Sequence, residues 1–284
     1  MEQYLKMSDH QKEVEQGQRF EFGANWTQFL SLLDDQRIER AEHSLQESLG
    51  LDSLQGLRLL DAGSGSGLFS LAARRLGADV HSFDYDPHSV ACTTELKRRY
   101  FDADSHWKVE QASVLDQEYL AALGTFDVVY SWGVLHHTGQ LWQALENVHS
   151  RVAANGRLFI SIYNDQGGKS RRWLLVKRAY NLLPRGLRWL VWLPVLIKVW
   201  AAECVRDLLR GRPFQSWMRY SKAGARGMSP FRDLIDWAGG LPFEVAKPEQ
   251  IFDFYHQRGY SLERMKTCGG GLGCNEFVFK KNRA

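Results

Sequence analysis

Residues 59–70 read LLDAGSGSGLFS: an apolar run ends in Asp61, meets Gly63, Gly65 and Gly67 at alternate positions, and passes into a helical pattern. Glycine tolerates positive φ and carries no Cβ, so three of them in five positions mark a turn whose backbone is approached closely. A strand that enters such a turn and leaves as a helix opens a βα unit. In an open parallel sheet, ligands sit beyond the carboxyl ends of the strands, and the first such turn borders that crevice.

The same alternation continues along the chain. Strand candidates are 57–63, 78–84, 107–113, 126–132 and 156–163, with helical patterns between them at 68–76 and 87–100. A helix near 248–258 and strands over 260–267 and 275–281 follow later. The expected fold is α/β: a Rossmann-like, seven-stranded, mostly parallel sheet with helices on both faces and a helical insert between the fifth and sixth strands. Ahead of it, 1–54 reads as an amino-terminal helical segment, with Trp26, Phe29, Leu32, Leu33, Ile38, Ala41 and Leu45 at helical spacing. The division expected is 55–164 with 246–284 as one domain and 165–245 as an insert.

That insert differs in composition. It holds six of the ten tryptophans and fifteen Lys/Arg against six Asp/Glu, so the chain's net charge of +3 hides a basic, aromatic insert on an acidic body. Its stretch 188–200, RWLVWLPVLIKVW, is too short and too interrupted by Pro194 and Lys198 to span a bilayer. It could serve as a lid over an apolar acceptor, as a peripheral membrane contact through 185–200, or as a cap packed on the sheet and on a sister subunit. Interleaved basic and aromatic residues also raise RNA, but long aliphatic runs share the span and no RNA-binding module is recognisable. The four cysteines form no metal-binding pattern, and with no signal peptide at MEQYLKMSDH they are expected as free thiols in a reducing cytoplasm.

The glycine spacing selects the ligand. GxGxG is not the GxGxxG of dinucleotide sites, and no GxxxxGK[ST] follows to cradle phosphate. Asp61, two residues ahead, would repel a pyrophosphate but suits a positively charged ligand. S-adenosylmethionine carries a sulfonium and an ammonium and no phosphate. Asp84 closes the second strand about twenty residues on, where a carboxylate can accept both ribose hydroxyls. An NAD-linked oxidoreductase and a non-catalytic cofactor-binding protein remain the readings from other classes.

Four stretches in order, LLDAGSGSG, VHSFDYDP, VEQASVLD and FDVVYSWGVLHH, resemble class I S-adenosylmethionine-dependent methyltransferases over roughly residues 55–163. The resemblance implies that Asp61, Gly63 and Gly65 line the methionine moiety and Asp84 the ribose. Ser113 and Val114 would frame the adenine, and Ser131, Trp132 and Gly133 the floor. Ser64, Gly67 and Tyr85 complete the cofactor set. Ser113 stands where the family often has Asp. The tail from RGMSPFRD to CNEFVF is similar to a subgroup described by its likeness to ubiquinone-pathway O-methylases, which implies O-methylation of a hydroxyl or phenol on a small or lipid-like acceptor, with S- or N-methylation and tRNA/RNA methylation as alternatives.

His136 and His137 follow the fourth strand on the ligand side, where an imidazole could take the proton of an acceptor hydroxyl; a helix cap or plain packing is the alternative. Tyr163 or Asn164, at the end of the fifth strand, could orient the acceptor, although Asn164 or Asp165 could instead cap a helix. SWGV stands where [DN]PP[YF] would mark amino methylation of DNA bases, so DNA is not expected, and no acidic cluster calls for a metal.

Overall fold

The computed structural model describes residues 9–23, 30, 33–223 and 230–283. The first helix is α1 (Asp9–Glu15), and the helix expected over 26–49 is observed as α2 (Asp35–Leu49). Trp26, Phe29 and Leu32 lie outside the described residues, as do 1–8 of the amino-terminal stretch and 226–229 of the tail motif. Asp34 accepts from the Arg37 amide to start α2, and Gly50, at φ 63°, ends it.

Strand and helix then alternate: β1 (Arg58–Ala62), α3 (Leu68–Arg75), β2 (Asp79–Asp84), α4 (Pro87–Tyr100), β3 (Trp107–Gln111), α5 (Gln117–Ala122), β4 (Phe126–Trp132), α6 (Leu141–His149) and β5 (Val152–Tyr163). Asp86 and Asp116 place side-chain oxygens on the first-turn amides of α4 and α5, so each chain reversal is capped where a strand gives way to a helix. After β5 come α7 (Gly168–Leu182), α8 (Trp189–Leu209), α9 (Gln215–Ala223) and α10 (Pro230–Gly239). The chain returns to the sheet through α11 (Pro248–His256), β6 (Tyr260–Lys266) and β7 (Cys274–Lys281).

The strand order is β3-β2-β1-β4-β5-β7-β6, with β7 antiparallel to both its neighbours and the other pairings parallel. The order reverses beside β1, so the crevice of a doubly wound sheet opens at the β1 and β4 carboxyl ends. Strand β5 begins at Val152, four residues before the expected 156, because Asn155 at φ 63° and a register shift break its apolar pattern.

Each inner strand is buried on both faces, which is why it reads as a continuous apolar run. Alternate residues feed two cores: Leu60, Phe83 and Val129 pack with Leu145, Ile251 and Tyr255, and Leu59, Val80 and Val128 pack with Ile38, Leu71 and Leu96. By contacts the chain falls into two compact units, one of Gly23–Ser170 with Phe243–Ala284, the other of Arg171–Pro242 with the described residues 9–22.

Candidate active site

The β1 turn is built for close approach. Gly63 sits at φ 88°, and a Cβ there would lie 2.4 Å from both Val134 methyl carbons; at Gly67, φ 80°, it would lie 2.8 Å from the Thr93 Cα. The amides of Gly63 and Ser64 both donate to the Phe83 carbonyl, at 2.9 and 3.1 Å, which pins the turn to the end of β2. The Ser64 hydroxyl lies 3.0 Å from that of Thr93, and the Gly65 amide donates to Asp84 Oδ2 at 2.9 Å.

Asp61 is buried behind this turn. Ser70 donates to its Oδ2 at 2.5 Å, Ser82 donates to Ser70 at 2.7 Å, and the Trp107 indole donates to Ser82 at 2.9 Å. Three donors thus point one way down a buried chain and orient the carboxylate. Burial pushes the Asp61 carboxyl up to about 7, against the Ser70 hydrogen bond, with the Asp84 charge adding to the rise. Asp84 keeps part of its surface open. Its Oδ1 accepts from the Asp86 amide at 2.9 Å, yet desolvation still raises it to about 6.

The adenine-side candidates occupy the β3 exit. Ser113 accepts from the Leu115 amide at 3.1 Å, shaping the turn, and Val114 is buried with its carbonyl held by Asn147 Nδ2 at 2.9 Å. The Tyr85 carbonyl accepts from Gln111 Nε2 at 3.3 Å. Ser131 is fully buried, and its hydroxyl donates to the Ala62 carbonyl at 2.7 Å; that side chain ties β4 to β1. The Trp132 indole donates to Glu276 at 3.0 Å, fixing the β4 end against β7.

At the ends of β4 and β5, three candidates come together. The His136 ring lies 3.9 Å from that of Tyr163 and 4.5 Å from that of His137, and His137 meets Tyr163 edge-on at 5.2 Å, centroid to centroid. His136 is 0% exposed and His137 8%. Asn164 does not cap a helix: its amide group bonds the Gly271 carbonyl at 3.2 Å, and its Oδ1 accepts from Asn275 at 3.1 Å. Asp165 accepts instead from the Gly167 amide at 2.7 Å, ahead of α7. The glycine-rich stretch before β7 is thereby tied to the β5 end, and Cys268 and Cys274 are not joined by a disulfide.

Over residues 18–232 the chain matches a family model described as a methyltransferase domain. The chain belongs to the class I S-adenosylmethionine-dependent methyltransferase family. Among curated relatives of the chain, a ubiquinone biosynthesis O-methyltransferase of Azorhizobium caulinodans is 31% identical over 150 residues, 52% of this chain and 57% of that one. A ribosomal protein L11 methyltransferase of Methylococcus capsulatus is 34% identical over 116 residues, 40% of this chain and 36% of that one. The chain thus spans about half the length of the first curated relatives it matches. Among solved structures, magnesium protoporphyrin IX methyltransferase of Synechocystis PCC 6803, with bound S-adenosylhomocysteine, has the same fold at 14% identity and a TM-score of 0.51, covering 98% of this chain and 89% of that one.

The residues present fit the family's cofactor. Asp61 and Asp84 are carboxylates held in a poorly solvating place, which favours a ligand bringing positive charge and hydroxyl donors and disfavours a pyrophosphate. At Gly63 the turn packs too tightly on Val134 to admit a Cβ, so its backbone stays bare at the β1 exit.

Three supporting features escaped the sequence. Ser70 and Ser82 orient Asp61; serines at core-facing positions of LFSLAARR and DVHSFD were the available signal. Glu244 accepts from the Leu141 amide with both oxygens, at 3.1 and 3.0 Å, while its own amide donates to the His136 carbonyl at 3.0 Å. It joins the start of α6 to the histidine turn from about a hundred residues away, and no local pattern announces that.

Proposed function

We propose that this methyltransferase methylates a hydroxyl, most simply a phenol, on a small or lipid-like acceptor. The observation that carries this is the gathering of His136, His137 and Tyr163 where β4 and β5 end, on the crevice side of the sheet. The ubiquinone O-methyltransferases among its relatives support an oxygen acceptor.

When bound, S-adenosylmethionine supplies a methyl group already activated by its sulfonium, so the protein's own task is to orient and deprotonate. Asp61, Gly63, Ser64, Gly65 and Gly67 would hold the methionine part, Asp84 with Tyr85 the ribose, and Ser113 with Val114 the adenine. Backbone at Ser131 and Trp132 would form the floor. Burial separates the two histidines: the enclosed His136 supports the Tyr163 ring, and His137, nearer the surface, takes the acceptor hydroxyl proton on an imidazole nitrogen. Tyr163 offers its phenol to orient the acceptor oxygen.

The test is calorimetric titration with S-adenosylmethionine and NAD, followed by a screen of phenols, thiols and amines. Phenol methylation that falls in His137→Ala with cofactor affinity unchanged supports the proposal. Turnover only on thiols or amines, unaffected by His137→Ala, removes the hydroxyl acceptor and the base together. Binding of NAD alone removes the donor.

A further inference from the structure

Helix α8 has two unlike faces. On one, Trp192 meets Phe231 edge-on at 5.3 Å, Trp200 meets Trp217 at 4.7 Å, and Asp207 accepts from the amide and hydroxyl of Ser216 at 2.6 and 2.8 Å. At about 100° of rotation per residue, Leu190, Leu193, Ile197, Ala201, Val205 and Leu208 fall in a sector about 120° wide beside that packed face, and all six are exposed. Ile197 is 58% exposed and Leu208 66%. The stripe runs for about 27 Å at roughly 1.5 Å per residue, and no charged residue interrupts it. Exposed Leu182 and Leu187 precede it, and exposed Leu209, Phe214 and Met218 follow.

An uncovered apolar surface of this extent marks an interaction site. Charge chooses the occupant. Residues 182–220 contain seven Lys/Arg and two acids, and one of those acids, Asp207, is buried on the packed face. Arg185 and Arg188 stand at the amino end of α8, Arg210 and Arg212 just past its carboxyl end. A second copy would bring like charges together, whereas an anionic lipid surface has the complementary sign. Among the described residues no helix is long and apolar enough to cross a membrane. An exposed apolar stripe bounded by arginines is the pattern of a helix lying in the plane of the bilayer interface.

We propose that α8 lies along an anionic lipid surface, with Leu190, Leu193, Ile197, Ala201, Val205 and Leu208 at the acyl boundary and the arginines among headgroups. The experiment is co-sedimentation of the full chain with vesicles of phosphatidylglycerol and phosphatidylcholine against phosphatidylcholine alone, at low and moderate salt. Expected is partitioning at least ~10-fold stronger into the anionic vesicles and weakening with salt. Leu193→Asp with Ile197→Asp should cut it by ~10-fold or more, and Arg185→Ser with Arg212→Ser, both exposed, by about 10-fold, without change in melting temperature. Equal partitioning into both vesicles, or none, overturns the proposal. So does a dimer seen by light scattering that the double-aspartate variant dissociates while wild type ignores the vesicles.

Discussion

The two compact units break the usual rules of burial in opposite ways. Among the described residues eighteen large apolar side chains are exposed, and fourteen of them lie in Arg171–Pro242 against four in the sheet unit. The sheet unit instead holds desolvated acids at its site, Asp61 buried and Asp84 half-buried. The helical unit encloses a base: Lys177 is 0% exposed, donates to the Trp237 carbonyl at 2.5 Å and is pushed down to about 7 by burial. A sheet covered on both faces leaves little apolar area outside, so what stands out in it is polar and points to a polar, charged ligand. Helices that pack by a single stripe leave their other faces in water, so what stands out there is apolar and points to an apolar partner. Each departure from local consistency indicates what binds.

The comparison breaks first at the chemistry. If the reacting groups belong to the sheet unit, His137→Ala should lower kcat by about 1,000-fold with S-adenosylmethionine affinity intact, while Lys177→Met leaves kcat within about twofold for the folded fraction. Single-turnover assays on a phenol acceptor decide it, and the reverse pattern would move the chemistry to the helical unit.

Stability offers the second break. Leu145 is 0% exposed in the sheet unit and Leu190 is 48% exposed on α8. Leu145→Ala should cost about 3 kcal/mol through lost burial and the cavity left behind, whereas Leu190→Ala should stay within about 0.5 kcal/mol. Chemical denaturation measures both, and comparable losses would mean that Leu190 is covered in solution by something the exposed stripe has recruited.

Third, Asp84→Ala should weaken cofactor affinity about 100-fold, the worth of two hydrogen bonds to a charged acceptor. Calorimetry checks it. An unchanged affinity would leave Asp84 as a clasp for the Gly65 amide alone.

Much of the fold was legible because the alternation of runs and turns is local. The seven strands, the turn glycines and both acids lie within short windows, and periodicity reads such windows well. Strand β5 began earlier than its pattern suggested because the bulge at Asn155 interrupts it. The site was legible as far as its residues adjoin strand ends. Asn164 was not, since its partners come from a loop more than a hundred residues on, and neither was the different burial of adjacent His136 and His137. Ser131, expected in the floor, places its hydroxyl inside the sheet because the Ala62 carbonyl lies beside it.

The smallest expected effect sharpens what the two desolvated acids are for. Asp61 is raised to about 7 and Asp84 to about 6, both chiefly by desolvation. Between an unfolded value of about 4 and these folded values the native state holds more protons than the unfolded chain. The ligand-free fold therefore loses stability as pH climbs through that window, and the whole penalty is present above about 7. A cofactor carrying a sulfonium and an ammonium offsets the penalty only where the acids are ionised. Its affinity should accordingly rise about tenfold between pH 5.5 and pH 7.5, equivalent to about half a proton released on average across that range, and the melting-temperature gain it confers should grow over the same range. A flat affinity would mean that the acids bind as neutral groups, and that their burial serves the β1 turn more than the ligand's charge.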